Sequence, residues 1–288
     1  MDNHSFILTV EKTYYNSGFF NISVNYEKYF GSNDEDIEIL CGNNPKPIIG
    51  KINRTDNPNK TPRIKGGKEL KYWFKENSEV MGKIKVEIIS KNKICLKVIR
   101  IDDLLKKINF DDYYIEATFQ FKLLMQLGKI YDENKIFPER HIKAYDSKIE
   151  NYTKKEIDIV IEQENNLNIA IELKMPMNGQ VPEQMFKFVE DIKFLEELNT
   201  NNLFYKCYLI VVTNDRDFWQ GSKNNGIYSY FRNNNILKGK ISKPTGKDEI
   251  KATNYYELNG EYKIQWNDLA NNFRYFVIEI DGTHTTEQ

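Results

Sequence analysis

The 288-residue sequence predicts a β-rich domain followed by an α/β domain. In the first hundred residues, short β-branched or alternating runs are separated by Gly, Asn, Pro and Asp. Farther along, the predicted order is helix, strand, strand, strand, helix, strand, which is typical of a mixed sheet flanked by helices. Hydrophobic residues make up 40% of the chain, which is enough to build real cores. We therefore predict domains over residues 1–104 and 105–288, divided in the charged segment RIDDLLKKINFDD.

The first domain is predicted to be a small barrel or sandwich, because its strands are many and short. The strands are expected in SFILTVEKTYY, FFNISV, DIEILC, KPIIGKI and KIKVEIISKNKICLKVI. The segment GGKELKYWFKE is predicted to be a helix, since Leu70, Trp73 and Phe74 recur at helical spacing. The core of this domain should therefore be enclosed mainly by strands.

Two helices are predicted in the second domain. The first lies in DDYYIEATFQFKLLMQLGKI, with Asp111 or Asp112 as its amino-terminal cap and Gly128 near its end. Its predicted apolar face contains Ala117, Phe121, Leu124 and Leu127. The second helix covers residues 180–198, and its apolar stripe contains Val181, Met185, Phe188, Ile192 and Leu195. Both stripes should pack against a sheet.

The strands of that sheet are predicted from short apolar runs. KIFPERHI is one candidate, and residues 156–174 supply two more. YLIVVT is a continuous apolar run of the kind found in a strand that is covered on both faces. Near the end of the chain, YYELNGEYKIQW predicts a hairpin about Asn259-Gly260, and FRYFVIEI predicts a final strand.

Positive charge is concentrated in two stretches, although the net charge of the chain is −1. Residues 43–75 carry nine basic and two acidic side chains, and residues 216–247 carry seven and one. This distribution favours a polyanion that binds one side of the protein. The alternative is a sequence that simply fills its loops with Lys and Asn.

A soluble cytoplasmic protein without a membrane partner is expected. No apolar run approaches the roughly 20 residues that cross a bilayer, and the opening residues lack the pattern of a secretory signal. The cysteines Cys41, Cys95 and Cys207 are odd in number and lack metal-ligand spacing. They are therefore predicted to be free thiols.

Residues 156–174, EIDIVIEQENNLNIAIELK, contain charges inside two apolar runs. Asp158 lies in the first run, and Glu172 and Lys174 lie in the second. Burying a charge is costly unless a partner compensates it, and a metal ion is one such partner. Glu172 and Lys174 are two residues apart, so in a strand both side chains point to the same face.

The loop between these strands decides whether Asp158 can join them. A two-residue turn on Asn165-Asn166 would place Asp158 opposite Leu173, on the wrong face for Glu172. An odd loop length or a bulge is therefore required.

The three side chains suit a metal site. Carboxylate oxygens of Asp158 and Glu172, with the Leu173 carbonyl, are hard ligands that suit Mg²⁺, and Mn²⁺ can substitute. Lys174 would position the attacking water and stabilise the charge of the transition state. Salt-bridged edge strands are the alternative, because Glu-x-Lys also begins at Glu69, Glu133, Glu249 and Glu261.

Residues 113–212 resemble the PD-(D/E)XK nuclease superfamily. The matching residues are Glu116 and Gln120 on a helix, Phe137-Pro138-Glu139, Ile157-Asp158, Ile171-Glu172-Leu173-Lys174, Gln184 on the second helix and the YLIVV strand. The family's proline is replaced by Ile157. The resemblance implies a mixed-sheet, restriction-endonuclease-like core.

The resemblance also implies roles for individual residues. Asp158 and Glu172 would bind the metal ion, Lys174 would be essential for cleavage, and Glu116 would contact the metal site through water. Gln184, Gln120 and Glu139 would be support residues.

The first domain resembles the DNA-binding pseudobarrel of some restriction-enzyme effector domains and plant transcription factors. The resemblance lies in FFNISVNYEKYF, NRTDNPNKTPRIKGGKELKYWF and the closing strands KIKVEIISKNKICL. It implies contacts to bases and phosphates in the major groove. The candidate DNA-binding residues are Arg54, Asn57, Lys60, Arg63 and Lys65.

The expected function is therefore that of a magnesium-dependent, site-specific endonuclease for double-stranded DNA, of type II restriction class. Its expected partners are double-stranded DNA and a methyltransferase of the same system, and it would act as a monomer or homodimer. A structure-specific or repair nuclease of the same superfamily is one alternative. A DNA-binding protein that keeps the fold without cutting is the other.

Overall fold

The computed structural model describes residues 4–42, 44–111, 115–148, 150, 152–176, 179–247, 249 and 253–281. The chain divides into two units, Met1–Arg100 and Ile101–Gln288. The first unit holds a curled, half-barrel sheet of seven strands. The second holds a mixed sheet of six strands and a separate ribbon of two.

The sheet of the first unit is mainly antiparallel. Its strands are β1 (His4–Thr9), β2 (Phe19–Asn21), β3 (Asp36–Cys41), β4 (Ile48–Asn53), β5 (Arg63–Lys65), β6 (Lys83–Ser90) and β7 (Lys93–Val98). They follow the order β1-β6-β7-β3-β4-β5-β2, and β3 and β7 run parallel. Alternate residues of β3, β4 and β6 are buried, so one face of the sheet covers the core. The β-rich first unit is thus confirmed.

Two helices close the core of the first unit. They are α1 (Lys12–Ser17) and α2 (Gly67–Asn77), and a short 3₁₀ helix covers Val24–Tyr29. The predicted helix is confirmed as α2, which buries Leu70 and Phe74 completely. Strand β5 was not predicted from the sequence, since its three residues are too few to show alternation.

The strand predicted through KTYY is wrong, because this segment forms α1. The helix ends at Gly18, whose φ of 69° is left-handed and whose N–H donates to the Tyr14 carbonyl. A Cβ atom on Gly18 would lie 1.9 Å from the Gly67 carbonyl oxygen. Glycine is therefore required where α1 meets the start of α2.

The described residues of the second unit form eight strands. They are β8 (Ile136–His141), β9 (Glu156–Ile161), β10 (Ile169–Lys174), β11 (Lys206–Thr213), β12 (Leu237–Ser242), β13 (Tyr255–Tyr262), β14 (Asn267–Asp268) and β15 (Arg274–Asp281). The six-stranded sheet has the order β14-β15-β11-β10-β9-β8, with β10 and β11 parallel and the other pairs antiparallel. The strands predicted in KIFPERHI, residues 156–174, YLIVVT and FRYFVIEI are all confirmed.

The helices of this unit are α3 (Ile101–Leu105), α4 (Glu116–Leu127), α5 (Val181–Thr200) and α6 (Tyr228–Arg232). Single 3₁₀ turns cover Glu133–Lys135, Ile142–Ala144, Glu164–Asn166 and Arg216–Phe218. Helix α5 connects the parallel strands β10 and β11, and all five residues of its predicted stripe are buried. The stripe packs in one core with Ala170, Leu209 and Phe276 of the sheet.

Helix α4 differs from its prediction in both its start and its buried face. It begins at Glu116 with Ile115 as the N-cap, so Asp111 does not cap it, and Asp112 lies outside the described residues. The buried residues are Phe119, Leu123 and Leu127, whereas Phe121 is 58% exposed. Phe119 packs on the ring of Phe110 at 5.6 Å, and this contact from the preceding segment sets the buried face.

The hairpin predicted at Asn259-Gly260 is wrong. Both residues lie inside the continuous strand β13, which pairs with β12 and shifts register between Leu237 and Gly239. The buried carboxylate of Glu196 on α5 accepts hydrogen bonds from the Asn259 and Gly260 N–H groups and from the Tyr262 hydroxyl. These bonds satisfy the backbone at the irregularity without a turn.

The described residues contain no helix with the length and hydrophobicity to cross a membrane. The three cysteines are free and buried, as predicted.

The Glu196 contacts lead to a stability prediction. Glu196→Ala leaves two N–H groups and one hydroxyl without their acceptor, so we expect the free energy of unfolding of the second unit to fall by about 1–3 kcal/mol. Urea unfolding of the full chain measures this change. Glu257→Ala is the control, because Glu257 is an exposed residue of the same strand. Equal stability of the two variants would show that Glu196 does not anchor the ribbon.

Candidate active site

The register of β9 and β10 brings Asp158 and Glu172 opposite each other. The paired residues are Ile161 with Ile169, Val160 with Ala170, and Ile159 with Ile171. The next pair along the same register is Asp158 with Glu172, and the Asp158 N–H lies 3.4 Å from Glu172 Oε1. Residues 162–168 form the connection, so the odd loop length that the sequence requires is confirmed. Both carboxylates therefore belong to one face of the sheet.

A third acidic residue continues this row on β8. The pairs that Ile159 and Ile157 make with Pro138 and Arg140 place Glu139 opposite Asp158. Glu139 has a φ of 49°, a left-handed conformation that is uncommon for a residue with a side chain. Its Oε1 accepts a hydrogen bond from Gln120 Nε2 at 2.8 Å.

Glu172 lies at the centre of a buried network of charges, which we call the acid–lysine cluster. The cluster consists of Asp158, Glu172, Asp191, Lys154 and Lys174. Glu172 is 0% exposed and Asp191 is 1% exposed. The Lys154 ammonium donates to Glu172 Oε2 and, at 2.9 Å, to Asp191 Oδ1. Three carboxylates thus surround two ammonium groups.

Lys174, the last residue of β10, is held on two sides. Its Nζ donates to the Leu173 carbonyl oxygen at 2.9 Å and lies 3.2 Å from Asp191 Oδ2. That oxygen is within ion-pair range but makes no hydrogen bond within the described part of the chain. The side chain of Lys174 retains 17% exposure at the carboxyl end of β10.

Burial shifts the ionisation of the cluster. It raises the pKa of Glu172 well above that of an ordinary carboxyl, and repulsion from Asp158 and Asp191 adds to this effect. Burial likewise raises the pKa of Asp158, against the opposing effect of Lys174. Burial by itself would lower the pKa of Lys154, but attraction to Glu172 and Asp191 raises it above its usual value. The cluster thus attracts positive charge, as a proton or as a cation.

The residues predicted on α4 also reach this site. Glu116, the first residue of the helix, accepts a hydrogen bond from the Met175 N–H at 2.9 Å, directly after β10. Gln120 Nε2 donates to the Asp158 carbonyl oxygen at 2.8 Å. The sequence-predicted residues Glu116, Gln120, Asp158 and Glu172 are therefore brought together around the ends of two strands.

Gln184 does not join this network. It lies half-buried on α5, and among the described residues its side chain makes no hydrogen bond. Asp191, two turns farther along α5, contacts the cluster instead. Its position could have been found, because Asp191 falls between Phe188 and Leu195 on the apolar stripe, where an acid is unusual. Lys154 gives no such signal, since Lys155 follows it.

The donor atoms fit a hard divalent cation in their chemistry. Asp158, Glu172 and the Leu173 carbonyl supply oxygen ligands, and the excess of carboxylates over ammonium groups favours added positive charge. Among the described residues, however, no group of three or more His, Cys, Asp or Glu side chains is arranged to hold a metal ion. The Lys154 ammonium contacts Glu172 Oε2, so a metal ion could use this oxygen as a ligand only if the ammonium moved away.

The five residues predicted to contact DNA lie on the loop that joins β4 to β5 and on β5 itself. The Arg54 guanidinium donates to the carbonyl oxygens of Glu27, Phe30, Gly31 and Lys60. Arg54 therefore anchors the loop rather than projecting from it. Lys60 is exposed with a φ of 59°, and its ammonium makes no hydrogen bond or ion pair within the described chain.

The remaining three residues form a second set of contacts. Arg63 donates to Asn21, Asp56 and Asn57, and its guanidinium lies 4.3 Å from the centre of the Phe19 ring. Lys65 pairs with Asp56 at 2.8 Å. The loop is thus a rigid, hydrogen-bonded surface with Lys60 as its unpaired cation.

Comparison with known proteins gives little further information. No protein-family model matches the chain, and no curated protein matches it. Among solved structures, the N-terminal domain of Helicobacter pylori LlaJI.R1 aligns with a TM-score of 0.28 and 15% identity, covering 34% of this chain and 81% of that domain. A hypothetical Arabidopsis thaliana protein aligns with a TM-score of 0.27 and 8% identity, covering 34% of this chain and 90% of its own.

The cluster predicts a large effect of removing Lys154. Lys154→Met leaves Glu172 and Asp191 buried without their shared ammonium, so we expect the free energy of unfolding to fall by about 3–5 kcal/mol. The double variant Lys154→Met/Glu172→Gln should recover part of this loss, because it also removes one buried carboxylate. Urea unfolding in the absence of divalent ions measures both changes.

Lys155→Met is the matched control, because Lys155 is exposed beside Lys154. Its free energy of unfolding should equal that of the wild type. A similar loss in both lysine variants would contradict the assigned role of Lys154.

Proposed function

We propose that the chain is a magnesium-dependent endonuclease that hydrolyses phosphodiester bonds of double-stranded DNA at specific sites. In this proposal the six-stranded sheet is a restriction-endonuclease-like core and the first unit is a DNA-recognition pseudobarrel. The observation that carries the proposal is the convergence of Asp158, Glu172 and Lys174 at the ends of β9 and β10. A methyltransferase of the same system would protect the host sites.

Each side chain of the site would have its own role in phosphodiester hydrolysis. Asp158 and Glu172, with the Leu173 carbonyl, would hold the magnesium ion, which when bound acidifies water and neutralises charge on the phosphate. Asp191 and the Leu173 carbonyl fix the Lys174 ammonium at the sheet edge, where it can stabilise an oxyanion. Glu116 holds the backbone at Met175 and so fixes the end of β10. These contacts pre-organise the site before substrate binds.

The loop that carries Lys60 would meet DNA in the first unit. Its backbone is fixed by Arg54, and its hydrogen-bonding groups are held by Arg63 and Asn57. A rigid loop lowers the entropy cost of binding. Lys60 would contact phosphate, while Arg63, Asn57 and Lys65 are the candidates for base and further phosphate contacts.

One observation favours the alternative of a DNA-binding protein that does not cut. The Lys154 ammonium already contacts the carboxylate that a metal ion would need. An ammonium that is never displaced would keep the fold stable and the site inactive. Cleavage assays separate the two functions.

Digestion of a fully sequenced supercoiled plasmid with Mg²⁺ or Mn²⁺ tests the proposed function. We expect discrete fragments whose mapped ends share one sequence, and a loss of at least about 100-fold in rate for Lys174→Ala, because removal of one transition-state cation costs about 3 kcal/mol. Lys187→Ala, an exposed lysine of α5, should cut like the wild type. A smear would rule out site specificity, and salt-dependent binding without cleavage under either ion would establish the non-cutting alternative.

The DNA loop makes a separate prediction. Lys60→Ala should weaken duplex binding by a similar factor for every sequence and reduce the slope of log K against log salt by about 0.9, because one phosphate contact is lost. Fluorescence anisotropy at several salt concentrations measures the slope. Lys12→Ala, an exposed lysine of α1, is the control. An unchanged slope for Lys60→Ala would remove this loop from the interface.

A further inference from the structure

Two adjoining cavities open beside the carboxyl end of β11. One has a volume of about 580 Å³ and is lined by Arg216, Trp219, Asp268 and Arg274 among others. The other has a volume of about 420 Å³ and includes Trp219, Lys263, Trp266 and Arg274. Because Trp219 and Arg274 line both, we treat the cavities as one feature, the Trp219 cleft. Each volume falls in the ~300–1,000 Å³ range of small-ligand sites.

One wall of the cleft is aromatic and firmly supported. The Trp266 indole N–H donates to the Phe231 carbonyl at 3.0 Å, and its ring packs edge-on against Phe276 at 4.9 Å. The Trp219 ring lies 5.5 Å from the Trp266 ring, and the Arg274 guanidinium lies 5.1 Å from the centre of the Trp219 ring. The half-buried Trp219 ring therefore lines the cleft in a fixed position, with the Arg274 guanidinium over one of its faces.

The cleft is also positively charged. Its lining includes four cationic side chains and one carboxylate: Arg216, Arg232, Lys263, Arg274 and Asp268. Asp268 pairs with Arg274 at 2.7 Å, and Arg232 is bound to loop carbonyl oxygens. Within the described part of the chain, the side chains of Arg216 and Lys263 make no hydrogen bond or ion pair. An aromatic surface between uncommitted cations suits a nucleotide, whose base stacks and whose phosphate takes the charge.

The cleft and the acid–lysine cluster lie at the same end of the six-stranded sheet, where β10 and β11 finish. Strands β10 and β11 are parallel, and Lys174 pairs with Val211 near their carboxyl ends. Strand β15 begins next to β11, where Arg274 pairs with Thr213. Neighbouring strands are about 4.8 Å apart, so the start of β15 is roughly 10 Å from β10.

We propose that the Trp219 cleft binds one unpaired nucleotide of the strand that runs to the acid–lysine cluster. The base stacks on Trp219, and Arg216 and Lys263 hold the adjoining phosphates. Both faces of a base in an intact duplex are covered by its neighbours, so the ligand is a nucleotide in single-stranded, bulged or flipped form. The inference rests on the proposed function and adds a preference for DNA with an unpaired base near the cut.

Binding of the full chain to three DNAs tests this assignment. The probes are a labelled single strand of about 12 nucleotides, the matching duplex and the same duplex with a one-base bulge, all in EDTA so that cleavage plays no part. Trp219→Ala should weaken binding of the single strand and the bulged duplex by about 10-fold and change duplex binding by less than about 2-fold. Trp219→Phe keeps an aromatic ring and should stay within about 3-fold of the wild type.

The charges of the cleft provide a second variant that does not disturb the packed indoles. Arg216→Ala/Lys263→Ala should weaken single-strand binding and reduce its salt slope by about 1.4, since two phosphate contacts are lost at about 0.7 each. The control is Lys106→Ala/Lys107→Ala, which removes two exposed lysines away from the cleft. Unchanged single-strand affinity in both the Trp219→Ala and the double-charge variants would overturn the assignment.

Two further outcomes distinguish the cleft assignment from a free-nucleotide site and from the proposed nuclease. Tryptophan fluorescence with thymidine monophosphate tests for a free-nucleotide site, and binding as tight as that of the single strand would overturn the assignment to a nucleic-acid strand. Because all measurements are made without divalent ions, the absence of plasmid cleavage would remove the proposed nuclease but leave the cleft assignment supported. Plasmid cleavage by the wild type, together with cleft variants that bind single-stranded DNA like the wild type, would support the proposed nuclease and overturn the cleft assignment.

Discussion

The burial of the Glu172 carboxylate is the constraint on which the second unit depends. An ionised carboxyl with no exposure is tolerated only when a cation and hydrogen bonds replace its water. Lys154 supplies the cation, but the same ammonium also contacts Asp191. Asp191 in turn faces Lys174. Each charge in the cluster therefore depends on another, so the site forms as a whole or leaves a buried charge unpaired.

Hydrophobic packing supplies the energy that holds these charges together. Asp191 occupies its position because α5 is fixed by the apolar stripe, in which Phe188 and Leu195 lie on either side of it. A fully buried side chain of this size contributes about 1.5–3 kcal/mol, and the stripe contains several. The strand register does the same for Asp158, since the apolar pairs of β9 and β10 continue directly into the acidic pair. The core thus offsets the cost of the site that it positions.

The parts of this structure that the sequence predicts are those in which burial leaves a local pattern. The stripe of α5 and the YLIVVT strand repeat at their own periods, and Asp158 is visible as a charge among Ile and Val. The predictions are wrong where contacts between residues far apart in the sequence determine the local structure. Phe110 selects the buried face of α4, and Glu196 converts an Asn-Gly pair from a turn into an irregular strand.

The candidate site likewise combines residues that a local pattern reveals with residues that only tertiary contacts bring in. Lys154 precedes β9, and the placement of this segment against Glu172 and Asp191, which is a tertiary property, decides that it joins the cluster and the neighbouring Lys155 does not. Asp191 is one of several acids on its helix, and the rotation of α5 against the sheet decides which of them is buried. Three of the five charges in the cluster lie in two short apolar runs, whereas Lys154 and Asp191, which connect the cluster, lie outside those runs. Contacts between charges on different elements leave no local pattern, so the sequence alone indicates only part of the cluster.

In the proposed nuclease a metal ion would have to displace the Lys154 ammonium, and the accessibility of the two partners favours this exchange. The Lys154 side chain is 25% exposed, whereas Glu172 is 0% exposed and is fixed in the central part of the sheet. The ammonium can therefore swing into water on its flexible stem, while the carboxylate cannot leave. A divalent cation that entered the proposed site would replace one positive charge with two and so lower the repulsion among the three carboxylates. Because the ion would first have to displace an ion pair, its binding would be weaker than to an empty cage, and substrate phosphate, which adds oxygen ligands of its own, would favour the exchange.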